Sequence, residues 1–132
     1  MLSKPKYGWT EFKLGDFKSR ASYLTNIPQD CIDAFIYGLK NHKPITIFFD
    51  AEGYEFYLVS DYYSSYIILD DEETTVYYIN KGIKEIAKKF VHDIERNYEA
   101  WQLWDFPCDV KRDYDLSELK NLLIERKCEN ER

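Results

Sequence analysis

Residues 44–80 read PITIFFDAEGYEFYLVSDYYSSYIILDDEETTVYYIN, and this stretch decides the fold. It contains four segments rich in the residue types that favour strands: PITIFFD, YEFYLVSD, YIILDD and TTVYYIN. Only AEG, the YYSS region and an acidic turn separate them. Connections this short join antiparallel neighbours, because a parallel pair needs a crossover of about a dozen residues or more. The stretch therefore predicts a four-stranded antiparallel β-meander.

The residues before the meander predict one or two short strands and a helix. The segments WTEFKLG and ASYL lie on either side of a Gly-Asp turn, and both favour strands. A helix should begin near Pro28, since proline suits a first helical turn, and should end at about Asn41, before Pro44. Its apolar residues follow the helical spacing i, i+3, i+4, i+7: Ile32, Phe35, Ile36 and Leu39.

The residues after the meander predict a long helix and a shorter one. The long helix should run from about residue 82 to residue 104 with Asn80 as its N-cap, because its apolar residues recur every three or four positions. Lysines near its start are expected to approach the acidic meander: Lys81, Lys84, Lys88 and Lys89. In DLSELKNLLIERK, Asp115 and Glu118 resemble a capping box. The predicted fold is α+β, with the meander and one or two N-terminal strands packed against a long helix and two shorter helices.

Length and composition indicate one domain in a reducing compartment. A chain of 132 residues is expected to form a single α+β domain over residues 1–132, with residues 128–132 frayed. The three cysteines do not form a CxxC pair, so we interpret them as reduced thiols: Cys31, Cys108 and Cys128. No apolar run resembles a signal peptide or a membrane span. The expected location is the cytoplasm, with no membrane partner.

Acidic residues and tyrosines are concentrated in the meander. Residues 49–80 contain eight Asp and Glu residues and no Lys or Arg, a formal charge of −8 against −6 for the whole chain. The same segment holds seven of the 12 tyrosines. Strand alternation should place Glu55, Tyr57 and Asp61 nearer one face of the sheet than Tyr54, Phe56 and Leu58. Solubility alone does not require tyrosine to accumulate with acid, so this segment is the candidate functional region.

The chain carries no enzyme signature. It lacks the GxGxxG, GxxxxGK, HExxH and GxSxG motifs, and its five glycines are scattered singly. We expect a protein that is not an enzyme, with no catalytic residue, bound metal or cofactor. Three interpretations of the acidic segment remain open: a metal or acid/base site of Asp50, Glu52 and Glu55, a solvated surface that protects edge strands, or a binding face for a basic partner.

The binding-face interpretation gives each residue type a role. A one-signed field speeds encounter with an oppositely charged protein, and buried tyrosines then hold the complex together. The acidic patch repels phosphates, so nucleic acid is not an expected partner. The candidate partner-binding residues are acidic or aromatic members of this segment: Asp50, Glu52, Glu55, Tyr57, Asp61, Tyr62, Tyr63, Asp70, Asp71, Glu72 and Glu73.

Several segments together resemble a known group of proteins: WTEFKLGDF, SYLTNIPQD, CIDAFIYGLKNH and PITIFFDAEGYEFYLVSD. With the layout of elements out to about Trp104, they resemble the small acidic immunity proteins of bacterial contact-dependent and related polymorphic toxin systems. The resemblance implies a cytoplasmic inhibitor that binds a cognate toxin domain, often a basic nuclease, and blocks its active site or substrate groove. It implies no catalytic residues.

The predicted function is therefore neutralisation of a toxin by tight stoichiometric binding. A first alternative is a metal-dependent hydrolase that uses Asp50, Glu52 and Glu55. A second alternative is a self-associating structural or interaction module, in which the aromatic face forms a weak homodimer.

Overall fold

The computed structural model describes residues 1–104 and 111–124, and these residues form an α+β fold. Ten elements follow one another along the described residues: β1 (Trp9–Leu14), β2 (Phe17–Ser22), α1 (Ile27–Asn41), β3 (Ile45–Asp50), β4 (Glu55–Ser60), β5 (Ser65–Asp70), β6 (Thr74–Ile79), α2 (Ile83–Arg96), α3 (Tyr98–Gln102) and α4 (Ser117–Leu123). Strands β3 to β6 form one antiparallel sheet in sequence order, which confirms the predicted meander. Strands β1 and β2 pair with each other in a separate two-stranded sheet.

The inner face of the meander carries the core. Phe49 of β3 and Phe56 of β4 are fully buried, and their rings stack with centroids 4.9 Å apart. Phe12 of β1 and Phe17 of β2 each lie 5.0 Å from the Phe56 ring. Aromatic pairs at these distances stabilise a core beyond the effect of the area that they bury. The small β1–β2 sheet therefore packs on the inner face of the meander.

Helix α1 forms where the sequence predicts it. Pro28 lies in its first turn, and His42 ends it with a left-handed backbone conformation at φ 53°. Phe35 of α1 packs on Phe90 of α2, with ring centroids 5.5 Å apart. Both rings are fully buried. This contact joins the two main helices into one layer.

The predicted long helix is divided in two. Helix α2 ends at Arg96 and α3 begins at Tyr98, because Asn97 has φ −123° and ψ 36°, outside the helical range. The N-cap of α2 is Gly82, with no side-chain cap. The predictions of a continuous helix over residues 82–104 and of an Asn80 cap are therefore wrong. The predicted stripe is confirmed, since these residues of α2 are buried: Ile83, Ile86, Ala87, Phe90, Val91 and Ile94.

A close approach to the β4–β5 turn sets the start of α2. The N–H of Ile83 donates to the carbonyl of Asp61 at 2.8 Å. A Cβ atom on Gly82 would lie 1.9 Å from the carbonyl oxygen of Tyr62. Only glycine fits this contact, so the helix begins here for a tertiary reason that the local sequence does not reveal.

Asp93 fixes the N-terminal segment to α2. Its buried carboxylate accepts a hydrogen bond from the N–H of Leu2 at 2.9 Å and forms an ion pair with the amino group of Met1 at 2.9 Å. Arg96 approaches the other carboxylate oxygen at 3.5 Å. A buried carboxylate requires such partners, so the segment before β1 is held firmly against the helix.

Helix α4 packs on α1 and α2. Lys120 of α4 forms an ion pair with Glu95 of α2 at 2.8 Å. Asp115 accepts a hydrogen bond from the N–H of Ser117 at 2.9 Å, but Leu116 is the residue that precedes the helix and no side chain caps it. The predicted capping box therefore does not form.

Some predictions concern residues outside the described ranges. Cys108, Cys128 and the predicted frayed residues 128–132 lie there. Cys31 is a buried free thiol in α1, and its burial raises its pKa well above the usual value, so it is protonated at neutral pH. Within the described ranges, every helix is too short or too polar to cross a bilayer.

Candidate partner-binding surface

The outer face of the meander is the side opposite the core. Alternate residues of each strand lie on it, and the strand register arranges them in three rows across the sheet. The acidic row consists of three carboxylates and one threonine: Asp50, Glu55, Asp70 and Thr74. The apolar row crosses the middle of the sheet: Phe48, Tyr57, Ile68 and Val76. The third row completes the face: Thr46, Val59, Tyr66 and Tyr78.

The apolar row and the third row are open to solvent. Phe48 and Tyr66 are each 37% exposed, Val76 is 60% exposed and Tyr78 is 64% exposed. The Phe48 and Tyr57 rings pack with centroids 5.5 Å apart. Across residues 1–104 and 111–124, no helix or second sheet covers this face. Single exposed apolar side chains are common on proteins, whereas contiguous apolar patches occur more often at sites of interaction.

Two turns extend the acidic row at the same end of the sheet. Antiparallel order places the β3–β4 turn, with Glu52, beside the β5–β6 turn, residues 71–73. We name this whole group the acidic end: Asp50, Glu52, Glu55, Asp70, Asp71, Glu72 and Glu73. None of its carboxylates forms an ion pair in the described part of the chain. The lysines of α2 therefore do not pair with the acidic end, because α2 begins beside the β4–β5 turn at the opposite end of the meander.

Glu55 and Tyr57 connect the acidic row to the apolar row. The Tyr57 hydroxyl donates a hydrogen bond to the Glu55 carboxylate. This bond, together with partial burial and the charges of Glu55 and Asp70, raises the pKa of Tyr57 above its usual value. Both residues lie on the outer face, as the alternation predicts. The phenol is therefore neutral and oriented at physiological pH.

Two of the candidate carboxylates hold turns. Asp50 accepts a hydrogen bond from the N–H of Glu52 at 2.7 Å. Asp61 accepts bonds from the N–H groups of Ser64 and Tyr63, both at 2.9 Å, and these bonds lower the pKa of Asp61. Asp50 and Asp61 therefore each have a structural role in the meander, in addition to any role in binding.

The candidate residues fall into two groups at opposite ends of the sheet. Asp61, Tyr62 and Tyr63 lie in the β4–β5 turn, beyond the end of β4. A six-residue strand separates them from the acidic end by about 20 Å. Tyr62 is 52% exposed and Tyr63 is 82% exposed. The eleven candidate residues therefore do not form one continuous patch.

The seven tyrosines of residues 49–80 divide between the core and the surface. The Tyr54 hydroxyl shares a hydrogen bond with Ser19 at 2.6 Å, and the Tyr77 ring packs on Phe17 at 5.1 Å. These two tyrosines serve internal packing. The other five lie on the outer face or in the β4–β5 turn: Tyr57, Tyr62, Tyr63, Tyr66 and Tyr78. Most of this tyrosine surface is accessible to a partner.

Sequence reasoning missed the apolar part of the outer face. Phe48, Tyr66, Val76 and Tyr78 were not among the candidate residues, although they lie there beside Tyr57. The signal was present in the sequence, because two-residue alternation and short turns together fix which residues share a face. The charge of each residue can be read directly from the sequence. Whether a helix covers this face of the sheet depends on tertiary packing, which the sequence does not show directly.

The acidic end is not assembled as a metal site. In the described ranges, no group of three or more His, Cys, Asp and Glu side chains could hold a metal ion. Asp50 and Glu55 oppose each other across β3 and β4, but Asp50 is bonded to the Glu52 N–H and Glu55 to the Tyr57 hydroxyl. This arrangement is better suited to attract a cationic surface than to activate a water molecule.

An open aromatic sheet face beside carboxylates without ion pairs is thus the main chemical feature of the described surface. Exposed aromatic rings next to carboxylates are a composition that protein-binding surfaces often have, and the carboxylates give this part of the surface a negative charge. Comparisons of the chain with protein-family models, with curated proteins and with solved structures gave no match.

Proposed function

We propose that this protein is an immunity protein that binds a cognate bacterial toxin domain, a basic nuclease, and neutralises it without catalysis. The observation that carries the proposal is the uncovered outer face of the meander, bordered by the acidic end. Apolar rings left open to water cost free energy that a partner recovers by covering them. The resemblance of the sequence to immunity proteins supports the same mode of action.

The two parts of the surface have different tasks in this proposal. The acidic end attracts the basic toxin and speeds encounter, since unpaired carboxylates project a field that salt screens. Phe48, Tyr66 and Tyr78 then supply the short-range contacts that slow dissociation. Truncation of such an anchor typically costs about 2 kcal/mol or more of binding free energy.

The acidic end also explains how binding would inhibit. A nuclease holds its substrate through a basic groove that contacts phosphates. Asp70 and the turn carboxylates Asp71, Glu72 and Glu73 present closely spaced negative charge on one ridge. Such a ridge can occupy a phosphate-binding groove and exclude the substrate from it. The proposed inhibitor therefore acts in the cytoplasm, where the nucleic acid substrate is located.

Co-expression tests the function directly. The reading frames next to the gene for this chain supply the candidate toxin, as the C-terminal domain of a large protein. Expression of that domain alone should stop growth, and co-expression of this chain should restore it. The purified proteins should form a complex that contains this chain and the toxin domain in equal numbers. Unrelieved toxicity in the presence of well-folded chain would refute the proposal.

Association and dissociation rates test the two tasks separately. A variant in which four carboxylates are neutralised should associate more slowly, and its association rate should depend less on the salt concentration. The four substitutions are Asp70→Asn, Asp71→Asn, Glu72→Gln and Glu73→Gln. Phe48→Ala, Tyr66→Ala and Tyr78→Ala should instead accelerate dissociation. Glu85→Gln with Glu99→Gln is the matched control, since these exposed carboxylates lie on helices away from the outer face. Equal effects of the control and acidic-end variants would contradict the electrostatic part.

A further inference from the structure

Strand β6 forms an open edge of the meander. It pairs only with β5 in the sheet order. Its sequence, TTVYYI, contains no charged residue and no proline, and Val76 and Tyr78 are mostly exposed. Proteins normally protect an edge with charges, prolines or a covering element, because unpaired backbone groups recruit another strand. Within its own six residues β6 has no charge and no proline, and the nearest charges lie beyond its ends, at Glu73 and Lys81.

The backbone of β6 presents unpaired groups to this edge. Residues of an antiparallel ladder alternate between bonded and non-bonded pairs. The N–H of Asp71 donates to the carbonyl of Glu73, at a position that continues the β5–β6 register. The residues of β6 that bond to β5 are therefore the odd-numbered ones: Thr75, Tyr77 and Ile79. The N–H and C=O groups that face outward belong to the even-numbered ones: Thr74, Val76 and Tyr78.

The opposite edge of the sheet is different. Helix α1 and strand β2 pack against β3. Pro44 immediately precedes β3, and Asp50 places a charge at its end. These are the features that discourage strand addition. The less protected edge of the meander is therefore β6.

We propose that a second copy of this chain pairs with β6 through its own β6, antiparallel, to form a continuous eight-stranded sheet. The supporting observation is charge complementarity. The acidic end lies at the start of β6, and Lys81 and Lys84 follow its end. Antiparallel pairing of two identical strands brings the start of each beside the end of the other. The two-fold axis therefore places the acidic end of each copy beside the lysines of the other copy, so the dimer contains two such contacts between opposite charges.

The symmetry restricts the register. A two-fold axis perpendicular to the sheet keeps both outer faces on the same side, and directly opposed residues share a face. Val76 must therefore lie opposite an even-numbered residue of the second copy. Two registers keep the pairing near the middle of β6: in the first, Val76 lies opposite Val76 of the second copy, and in the second it lies opposite Tyr78 of the second copy. The first brings Asp71 close to Lys81, and the second brings Glu73 close to Lys81. Both registers use the outward N–H groups of β6.

This dimer goes beyond the proposed function and does not depend on it. Edge pairing leaves the apolar row and the third row uncovered in both copies. The two outer faces lie side by side on one surface. The dimer would therefore present two partner-binding surfaces in the same direction.

Sedimentation equilibrium over a range of concentrations tests the pairing. We expect the mass to rise from one chain toward two. Val76→Pro should prevent this rise, because it removes a central outward N–H while leaving the bonds to β5 intact, and proline is tolerated on an edge. Val76→Thr is the matched control, since it keeps the N–H and the preference for strand. It should associate as the wild type does.

Charge variants keep the proposal testable if Val76→Pro does not fold. Lys81→Glu should weaken association by about two- to ten-fold in either register. Adding Asp71→Lys or Glu73→Lys should restore it, and the variant that does so identifies the register. Circular dichroism verifies that each variant is folded.

Three results would overturn the proposal. The first is a mass of one chain at every concentration up to about 1 mM. The second is a dimer that persists in folded Val76→Pro or is insensitive to Lys81→Glu. The third is a dimer abolished by Val59→Lys on the outer face of β4 but not by the edge variants, which would assign self-association to the face. None of these measurements involves the toxin, so this proposal and the proposed function fail separately.

Discussion

At the scale of single residues, three aspartates of this chain have different structural surroundings and different roles. Asp93 is buried and holds the N-terminal segment through two partners at 2.9 Å. Asp61 is bonded to the backbone of its own turn. Asp70 lies exposed in the acidic row and has no ion pair in the described part of the chain. Stability is therefore expected to depend on the first two aspartates, and partner binding on the third.

Replacing Asp61 should weaken the β4–β5 turn. Asp61→Ala removes the acceptor for two N–H groups and should lower the thermal midpoint. Folding lowers the pKa of Asp61 from its usual value of 3.8. Its charged form therefore adds stability that is fully present above the unfolded value and is lost as pH falls through the folded value.

Asp61→Asn is the control for this pH dependence. The amide keeps an acceptor oxygen but does not titrate, so the turn should remain while the acid-dependent part of stability is lost. Thermal melts at several pH values between about 2 and 6 would measure both effects. Identical acid-side profiles for the wild type and Asp61→Asn would show that the carboxylate is not the responsible group.

The Glu55 carboxylate should control the ionisation of Tyr57. Glu55→Gln removes the charged acceptor, so the pKa of Tyr57 should fall toward the usual value of 10.0. NMR of ring-labelled tyrosine during an alkaline titration would measure it. Glu52→Gln removes a nearby charge without removing that hydrogen bond and should have the smaller effect. An unchanged pKa in Glu55→Gln would contradict the assignment.

At the scale of elements, the junction between β6 and α2 is held by buried polar groups and close contact. The hydroxyls of Ser60 and Ser65 lie 2.7 Å apart, and Ser65 donates to the carbonyl of Lys81 at 2.7 Å. These bonds turn the chain from the sheet into the helix. Gly82 then passes directly against the backbone of Tyr62.

Gly82→Ala should therefore destabilise the protein. Its φ of −86° suits any residue, so the expected cost comes from overlap with the Tyr62 carbonyl and not from backbone strain. Overpacking of this kind costs about 1 to 3 kcal/mol in the free energy of unfolding. Lys84→Ala, at an exposed position two residues further along the chain, should change the free energy of unfolding by less than about 0.5 kcal/mol. Urea denaturation of both variants would measure the difference, and equal stabilities would refute the close contact.

Asp93→Ala should loosen the N-terminal segment from α2. The substitution leaves the N–H of Leu2 without its acceptor, which should cost about 1 to 3 kcal/mol in the free energy of unfolding. Glu95→Ala is the matched control on the same helix, because its ion pair with Lys120 is exposed and contributes about 0 to 1 kcal/mol. Hydrogen exchange should show faster exchange at residues 1–14 in Asp93→Ala only. Similar stability of the two variants would contradict this role.

At the scale of the whole molecule, the meander concentrates negative charge where it does not help folding. Neutralising Asp70, Asp71, Glu72 and Glu73 to amides should leave the thermal midpoint unchanged or raise it at low salt, since like charges repel. The difference should disappear in about 0.5 M salt, where screening acts within a few ångströms. Calorimetry at the two salt concentrations would measure it. A large loss of stability would show that these carboxylates support the fold and weaken the case for a binding role.

The strands of the meander and their antiparallel order could be predicted from the amino-acid sequence. Strand-forming residues in PITIFFD, YEFYLVSD, YIILDD and TTVYYIN, joined by short turns, allow only antiparallel neighbours. Helical spacing determined α1 and the buried stripe of α2. These features depend on near neighbours in the chain, and local periodicity therefore carries them. The clustering of acid and tyrosine was also visible without a structure.

The tertiary structure alone decided which of these side chains face a partner. Tyr54 and Tyr77 are used by the core, whereas Tyr66 and Tyr78 lie on an open face, although all four belong to the same tyrosine-rich segment. It also set the start of α2 at Gly82 and ended that helix at Asn97. The physical reason is that exposure and close approach depend on where distant elements pack. A residue's own sequence neighbours do not contain that information.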